Sequence, residues 1–285
     1  MLDSLVIGGV SPLGLALVRA LEAQGDRVAF TSRRTNPGEG YFFDLETLEG
    51  FEDLPAASVV VIVAAETRFQ TCETDPERSR RINFEAPRTV AQWAAKRGSK
   101  VVFFSTIAVH NGSIDQPDEL IVPQPDSVYG QHKLEAEAAI FATDASSVVL
   151  RPSKVVIPDF PLLRSWIESL RQNGVITPFS DMIVSPVASS LVISCAVGLI
   201  KSKTAQGVYQ LSAADQVTYA ELAQALAKKA GYSEEFIQPV LASNVLKGEK
   251  TWLPTSARLG SRRICNELNI QLPWSLDVLN ELNLD

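Results

Sequence analysis

The sequence is poor in the residues from which several kinds of protein are built. It has two histidines, His110 and His132, in 285 residues, too few for a histidine metal centre. Its three cysteines, Cys72, Cys195 and Cys265, stand far apart and are odd in number, so neither a disulfide framework nor a zinc site is indicated. Positive charge is not in excess. The formal net charge of −7 argues against a nucleic-acid surface and against an anionic membrane surface. An anionic ligand therefore needs a local basic pocket. The longest uncharged window, residues 182–200, is broken by Pro186 and by serines. It reads as a short strand followed by a buried helix rather than as a membrane span. The first residues run straight into a strand, Leu5-Val6-Ile7, with no basic stretch ahead of a long apolar one, which points to the cytoplasm.

What is present is globular. Hydrophobic residues make up 46% of the chain and charged residues 21%. The length allows one large α/β unit with a smaller lobe. Apolar Leu5-Val6-Ile7 runs into Gly8-Gly9-Val10-Ser11-Pro12-Leu13-Gly14 and then into a helix with Leu13, Leu17, Ala20 and Leu21 on one face. A strand, a glycine turn and a helix in this order aim backbone N–H groups at a pyrophosphate. Ser11 stands where a three-glycine turn has its middle glycine, and its Cβ takes up room there. Pro12 suits the first helical turn, because its missing N–H would be unpaired anyway.

The second strand, Arg27 to Phe30, ends in Thr31-Ser32-Arg33-Arg34, at the position that meets the adenosine ribose. An acidic residue there would favour NADH. Hydroxyls and two guanidiniums suit a 2′-phosphate instead, so NADP(H) is the expected cofactor, with NAD(H) the alternative. Asp44 and Leu45 end a third short strand near the adenine. Ser58 to Ala65 is a β-branched run, as a strand buried on both faces requires, and Ala64 and Ala65 let a cofactor pass close to the backbone. A polar stretch over 68–81 precedes a helix expected from about Asn83 to Lys96. Strands alternating with helices predict a doubly wound parallel sheet, a Rossmann-type α/β fold, with a smaller C-terminal α/β lobe. Residues 1–155 form the nucleotide-binding part, its sheet completed by segments near 183–230. Residues 156–285 form mainly a substrate-binding lobe interleaved with the first.

Val101 to Phe104 is a buried strand that ends in Ser105-Thr106. An irregular loop over 110–128 follows, and then Tyr129-Gly130-Gln131-His132-Lys133 opens a helix. Tyr129 and Lys133 are four apart and share a helical face. A carbonyl that accepts hydride needs a proton donor, and free tyrosine gives up its proton reluctantly at neutral pH. An ammonium beside it would draw its pKa down. Thr106 would hold the carbonyl oxygen, and Tyr129 and Lys133 would face the cofactor as well. Beyond Arg151, an amphipathic helix over 160–172 turns Leu163, Trp166, Ile167 and Leu170 inward. A helix from Thr218 carries a Thr218/Glu221 capping box. Trp252 to Arg258 would line the substrate cleft, with Arg258, Arg262 and Arg263 as cations for a diphosphate.

These residues together resemble the extended short-chain dehydrogenase/reductase superfamily, the epimerase/dehydratase-like group. Within it they are most similar to the dTDP-4-dehydrorhamnose reductases. The closer resemblance rests on Val63-Ala64-Ala65, Cys72-Glu73-Thr74-Asp75-Pro76, Phe104-Ser105-Thr106, Pro125 to Glu137, Leu150-Arg151-Pro152-Ser153 and Leu253 to Leu259. It implies NAD(P)H-dependent reduction of a carbonyl on a sugar nucleotide of the 4-keto-6-deoxy type, with Thr106, Tyr129 and Lys133 catalytic and with Ser105, Thr106 and Arg258 at the substrate. A homodimer is compatible with it. Three departures stand out. Glu66-Thr67 replaces the usual Ala-His, Lys154 replaces an aromatic residue, and Ile107-Ala108 follows Thr106 where a dehydratase carries an acidic pair. The last argues against dehydration. An NAD-dependent epimerase and a non-catalytic NADP-binding regulatory subunit remain as alternatives.

Overall fold

Each buried strand is short and apolar, and each is followed by helix that carries the chain back over the sheet, a pattern that yields parallel pairing. The computed structural model describes residues 2–34, 40–246 and 252–283. Strand β1 (Leu2–Ile7) leads through the glycine turn to α1 (Pro12–Glu22), β2 (Val28–Ser32) and β3 (Tyr41–Phe42). Then come β4 (Ala57–Ile62), α2 (Phe69–Thr74), α3 (Pro76–Arg80), α4 (Ala86–Ala95), β5 (Lys100–Phe104), α5 (Val128–Thr143) and β6 (Val148–Pro152). The second half adds β7 (Val155–Val156), α6 (Pro161–Arg171), β8 (Ile183–Val184), β9 (Val187–Ala188) and α7 (Ser189–Lys201). It closes with β10 (Gly207–Leu211), β11 (Val217–Thr218), α8 (Tyr219–Ala230), α9 (Ala242–Val245) and α10 (Arg262–Leu268).

Seven strands form one sheet in the order β10-β6-β5-β4-β1-β2-β3, and every pairing in it is parallel. This is the expected doubly wound α/β fold. From β1 the chain winds outward to β3, then returns to β4 on the other side. That reversal leaves a crevice beyond the C-terminal ends of β1 and β4, where open α/β sheets bind their ligands.

The strands alternate as their pleat demands. Val6, Val61, Val102 and Leu150 pack with Leu17, Leu21, Val192 and Leu199 of α1 and α7. Leu5, Val60, Val101 and Val149 pack on the other face with Val90, Ala94, Ala136 and Ile140 of α4 and α5. Each such Val, Leu or Ile contributes about 1.5–3 kcal/mol through burial. A third cluster joins Leu163, Trp166, Ile167 and Leu170 of α6 to Leu222 and Leu226 of α8 and to Val278 and Leu279, and it forms the core of the smaller lobe.

Helix starts earlier before β5 than the sequence suggests. Asp75 caps α3 by accepting the Arg78 N–H at 2.9 Å, and Pro76 occupies the first turn. A π-helical turn, Arg81–Glu85, then joins α3 to α4. Pro87 accounts for it, since proline cannot donate to the carbonyl four residues back and its ring crowds that carbonyl. Residues 182–200 hold β8, β9 and α7, as expected of a strand followed by a buried helix. Thr218 and Glu221 form the anticipated capping box. Among the described residues no helix is long and apolar enough to cross a membrane, and no cluster of metal-ligating side chains occurs.

Candidate active site

The glycine turn is built by three close approaches. Gly8 has φ +92°, and a Cβ on it would lie 2.5 Å from the Cβ of Ala64, so glycine here and a small residue opposite are both required. The Gly8 N–H donates to Thr31 Oγ1 at 2.9 Å, which ties the turn to the end of β2. A Cβ on Gly14 would lie 2.2 Å from the Gly8 carbonyl oxygen. Ser11 turns its side chain back into the turn. Its Oγ donates to the Gly8 carbonyl at 2.9 Å and accepts the Gly14 N–H at 3.1 Å, so it is the N-cap of α1. Such a cap contributes about 1 kcal/mol. The departure from glycine is thus a helix cap, and Leu13 is left at the start of α1 facing the crevice.

A cavity of about 630 Å³ opens there. Gly8, Ser11, Pro12 and Leu13 line it from the turn, Ser32, Arg33 and Arg34 from the end of β2, Asp44 and Leu45 from beyond β3, and Ala64 and Ala65 from beyond β4. Arg33 and Arg34 are exposed, and Ser32 is buried with its Oγ accepting the Arg34 N–H at 2.9 Å. Asp44 Oδ1 accepts the Glu46 N–H at 2.8 Å and fixes the loop that carries it. Sequence reasoning had not assigned Phe43, Glu66, Arg78, Val155, Ile157 and Phe160 to this wall. Val155 to Phe160 belong to the second half of the chain, and no local motif marks them.

Thr106, Tyr129 and Lys133 lie beyond the end of β5, beside this cavity and not on its surface. Gly130 explains how they meet, since a Cβ on it would lie 2.0 Å from the Ala108 carbonyl oxygen. The first turn of α5 therefore rests directly on the short 3-10 turn Ile107–Val109 that Thr106 caps, with Thr106 Oγ1 accepting the Ala108 N–H at 3.1 Å. Tyr129 is buried against Cys72, Ala108 and Phe69, with the Phe69 ring edge-on at 5.5 Å. Burial pushes the Tyr129 phenol up, and the nearby Thr106 hydroxyl offsets only part of that. Lys133 is also buried. Its Nζ donates to the Phe104 carbonyl at 2.7 Å and lies 3.8 Å from the Phe103 ring centre. Burial draws its pKa down to about 7, against an upward pull from Glu137. The sequence suggested that Lys133 lowers the Tyr129 pKa. Here the ammonium is engaged at the end of β5, and desolvation works in the opposite direction on the phenol. Glu66 links the two regions, lining the cavity while its charge adds to the rise at Tyr129.

Beneath the corner runs a buried polar chain. Ser105 Oγ donates to Glu137, whose carboxylate pairs with Arg151 through Nη2 at 2.5 Å and Nε at 3.0 Å. Ser105, expected at the substrate, is thus turned below the site. The loop after Val109 is stitched to the C-terminal segment. The Gly112 carbonyl accepts the Thr255 and Ser256 N–H groups, and Trp252 Nε1 donates to the His110 carbonyl at 3.0 Å. Arg258 is an ion-pair partner of Asp115, with Nε to Oδ1 at 3.1 Å and Nη2 on the other oxygen. An incoming anion would have to compete with that carboxylate. Arg263 lies at the far end of the sheet, where it donates to the Gln206 and Val208 carbonyls.

A doubly wound parallel sheet with this glycine turn and a Thr/Tyr/Lys corner defines a Rossmann protein of the extended short-chain dehydrogenase/reductase type. Residues 3–283 match the family described as RmlD substrate binding domain, and the chain belongs to that family. It is 26% identical over 302 residues to the dTDP-4-dehydrorhamnose reductase of Escherichia coli (strain K12), covering 99% of this chain and 97% of that one. It is 24% identical over 223 residues to methionine adenosyltransferase 2 subunit beta of Bos taurus, covering 72% of this chain and 64% of that one. The crystal structure of dTDP-4-dehydrorhamnose reductase from Bacillus anthracis in complex with NADP superposes with a TM-score of 0.86 at 20% identity, covering 98% of each chain. The likeness to the dTDP-4-dehydrorhamnose reductase group therefore extends over nearly the whole chain.

Proposed function

We propose that the chain is an NADPH-dependent reductase of a carbonyl on a sugar nucleotide, of the 4-keto-6-deoxy type. One observation carries this reading: the seat of Gly130 on the Ala108 carbonyl brings Tyr129 to the end of β5 beside Thr106, next to a cavity with a dinucleotide-type glycine turn. Similarity to reductases over the full chain supports it. The cavity residues fit a dinucleotide. Gly8 and Gly14 leave no room for a Cβ and so keep the turn close-packed, the start of α1 faces the pyrophosphate position, and Arg33 and Arg34 suit a 2′-phosphate. When bound, the nicotinamide supplies the hydride.

Tyr129 is the proton donor in this scheme. Its raised pKa keeps the phenol protonated at neutral pH, the form that reduction requires, and an alkoxide forming at the carbonyl is the stronger base. Thr106 Oγ1 holds the carbonyl oxygen in line with Tyr129, and Lys133 assists the developing phenolate in its protonated form, which its lowered pKa makes partial at neutral pH. Phe69 closes the corner against water. Replacing Tyr129 with Phe should reduce turnover about 10²–10⁴-fold, the usual contribution of a general acid. NADPH binding by fluorescence should stay unchanged. Retained turnover sinks the assignment. The substrate is identified by following NADPH absorbance with a panel of keto-sugar nucleotides.

A second reading, a cofactor-binding regulatory subunit, draws on the burial of Tyr129 behind Phe69. Wild-type protein that binds NADPH and oxidises it with no member of the panel would select it.

A further inference from the structure

Most cations around the crevice are already engaged. Arg78 pairs with Glu46 at 2.9 Å and with Glu66 at 3.5 Å, Arg258 with Asp115, and Lys133 bonds the Phe104 carbonyl. Arg33 and Arg34 are exposed but stand at the β2 end of the cavity. Lys154 is different. It follows β6 directly, between the Ser153 N–H that donates to the Leu211 carbonyl at 2.8 Å and the cavity residue Val155. Its own carbonyl accepts the Val187 N–H at 2.9 Å, which fixes the backbone. Its ammonium lies 5.1 Å from the ring centre of Phe160, another cavity residue. No carboxylate among the described residues pairs with it. It is solvent-exposed, yet desolvation alone lowers its pKa. Lys154 is not itself in the wall of the cavity, but it stands between Ser153 and the wall residue Val155 with its head group near the wall residue Phe160.

Its place in the sheet puts it near the reacting corner. Phe104 pairs in parallel register with Leu150, so β5 and β6 run side by side to the end of the sheet from which Thr106 and Lys154 emerge. Thr106 and Lys154 thus follow neighbouring strands at the same, C-terminal end of the sheet. In a chain of net charge −7, an anionic substrate needs a cation that no carboxylate has already neutralised.

We infer that Lys154, rather than Arg258, is the residue that receives an oxyanion of the substrate, and so sets which sugar nucleotides the cleft accepts. The inference rests on the reading of the cleft as a sugar-nucleotide site. The oxyanion has two sources, the diphosphate or a carboxylate on the sugar. A cation close to Phe160 recognises either through charge-assisted hydrogen bonds.

Calorimetric titration of wild type, Lys154→Met and Lys154→Arg with UDP, dTDP, UDP-glucose, UDP-glucuronate and NADPH tests it. Loss of a charge-assisted bond should weaken binding about tenfold or more in Lys154→Met, with recovery in Lys154→Arg and unchanged NADPH affinity. Weakening of UDP, dTDP and both sugar nucleotides alike assigns the diphosphate, and weakening of UDP-glucuronate alone assigns a sugar carboxylate. Lys154→Met binding every ligand as wild type does overturns the inference, as does an equal loss of NADPH affinity, which would move the ammonium to the cofactor. Wild type that binds no sugar nucleotide overturns the functional reading and this inference with it. Wild type that reduces a keto-sugar nucleotide with a KM unchanged in Lys154→Met overturns this inference alone.

Discussion

The nucleotide cavity and the Tyr129 corner adjoin, yet they are made of different material. The cavity is shaped by backbone. Its floor is the turn at Gly8, held by Thr31 and capped by Ser11, and it stands open with about 630 Å³ of space. The corner is shaped by side chains, and it is closed: Tyr129 and Lys133 are buried, one behind Phe69 and the other against Phe103. A backbone site is formed before its ligand arrives. A side-chain site buried in this way costs desolvation of its ionisable groups, visible in the upward shift of Tyr129 and the downward shift of Lys133.

The sharpest way to break the contrast is to remove the polar support beneath the corner. Glu137→Ala would leave Arg151 buried without its carboxylate, where Nη1 already has no partner among the described residues. A stability loss of about 3–5 kcal/mol is expected by denaturant titration, and a loss within 1 kcal/mol would mean that the pair is not buried as described. Smaller, and confined to the cavity, is the double change of Arg33 and Arg34 to Ala. It should weaken NADPH by about 1.5–3 kcal/mol while NADH changes little. Equal loss for both cofactors would remove the 2′-phosphate from this end. Smallest is Phe69→Ala, which deletes an edge-on ring contact worth about 0.5–1.5 kcal/mol beyond its buried area. The folded pKa of Tyr129 lies above its unfolded value, so its contribution to stability is complete below pH 10 and is lost as pH rises further. In Phe69→Ala the phenol absorbance transition should move down towards pH 10, and the alkaline loss of stability, which starts at the same unfolded pKa, should be smaller and level off sooner. An unmoved transition would show that Phe69 does not shield the ring.

What the sequence disclosed follows the same division. The β-branched run before Ala64, the strand and glycine turn at Gly8 and the helical spacing of Leu163, Trp166, Ile167 and Leu170 are local patterns, and each appears in the structure as read. Ser11 was legible as a departure from glycine but not as a cap, because its meaning depends on bonds to Gly8 and Gly14 that form only in the turn. The pairing of Arg258 with Asp115 joins residues 143 apart in sequence, and the wall from Val155 to Phe160 closes on a turn made at residue 8. Neither has a local signature. The direction of the Tyr129 shift escaped for a related reason: helical spacing places Lys133 on the same face, but burial decides where each head group points.

The strand β10 carries a consequence for how the molecule comes to exist. It pairs with β6 from Gly207 to Leu211, so the outer edge of β6 has no partner until the chain has grown 59 residues beyond Pro152, from 152 to 211. At ribosomal speeds of about 5–20 residues per second, that is a wait of roughly 3–12 s with an apolar edge on offer to other nascent chains. A gene cut after the first half would make the wait permanent. The two halves of the chain, joined through the pairing of β6 with β10, thus form one inheritable unit rather than two separable pieces.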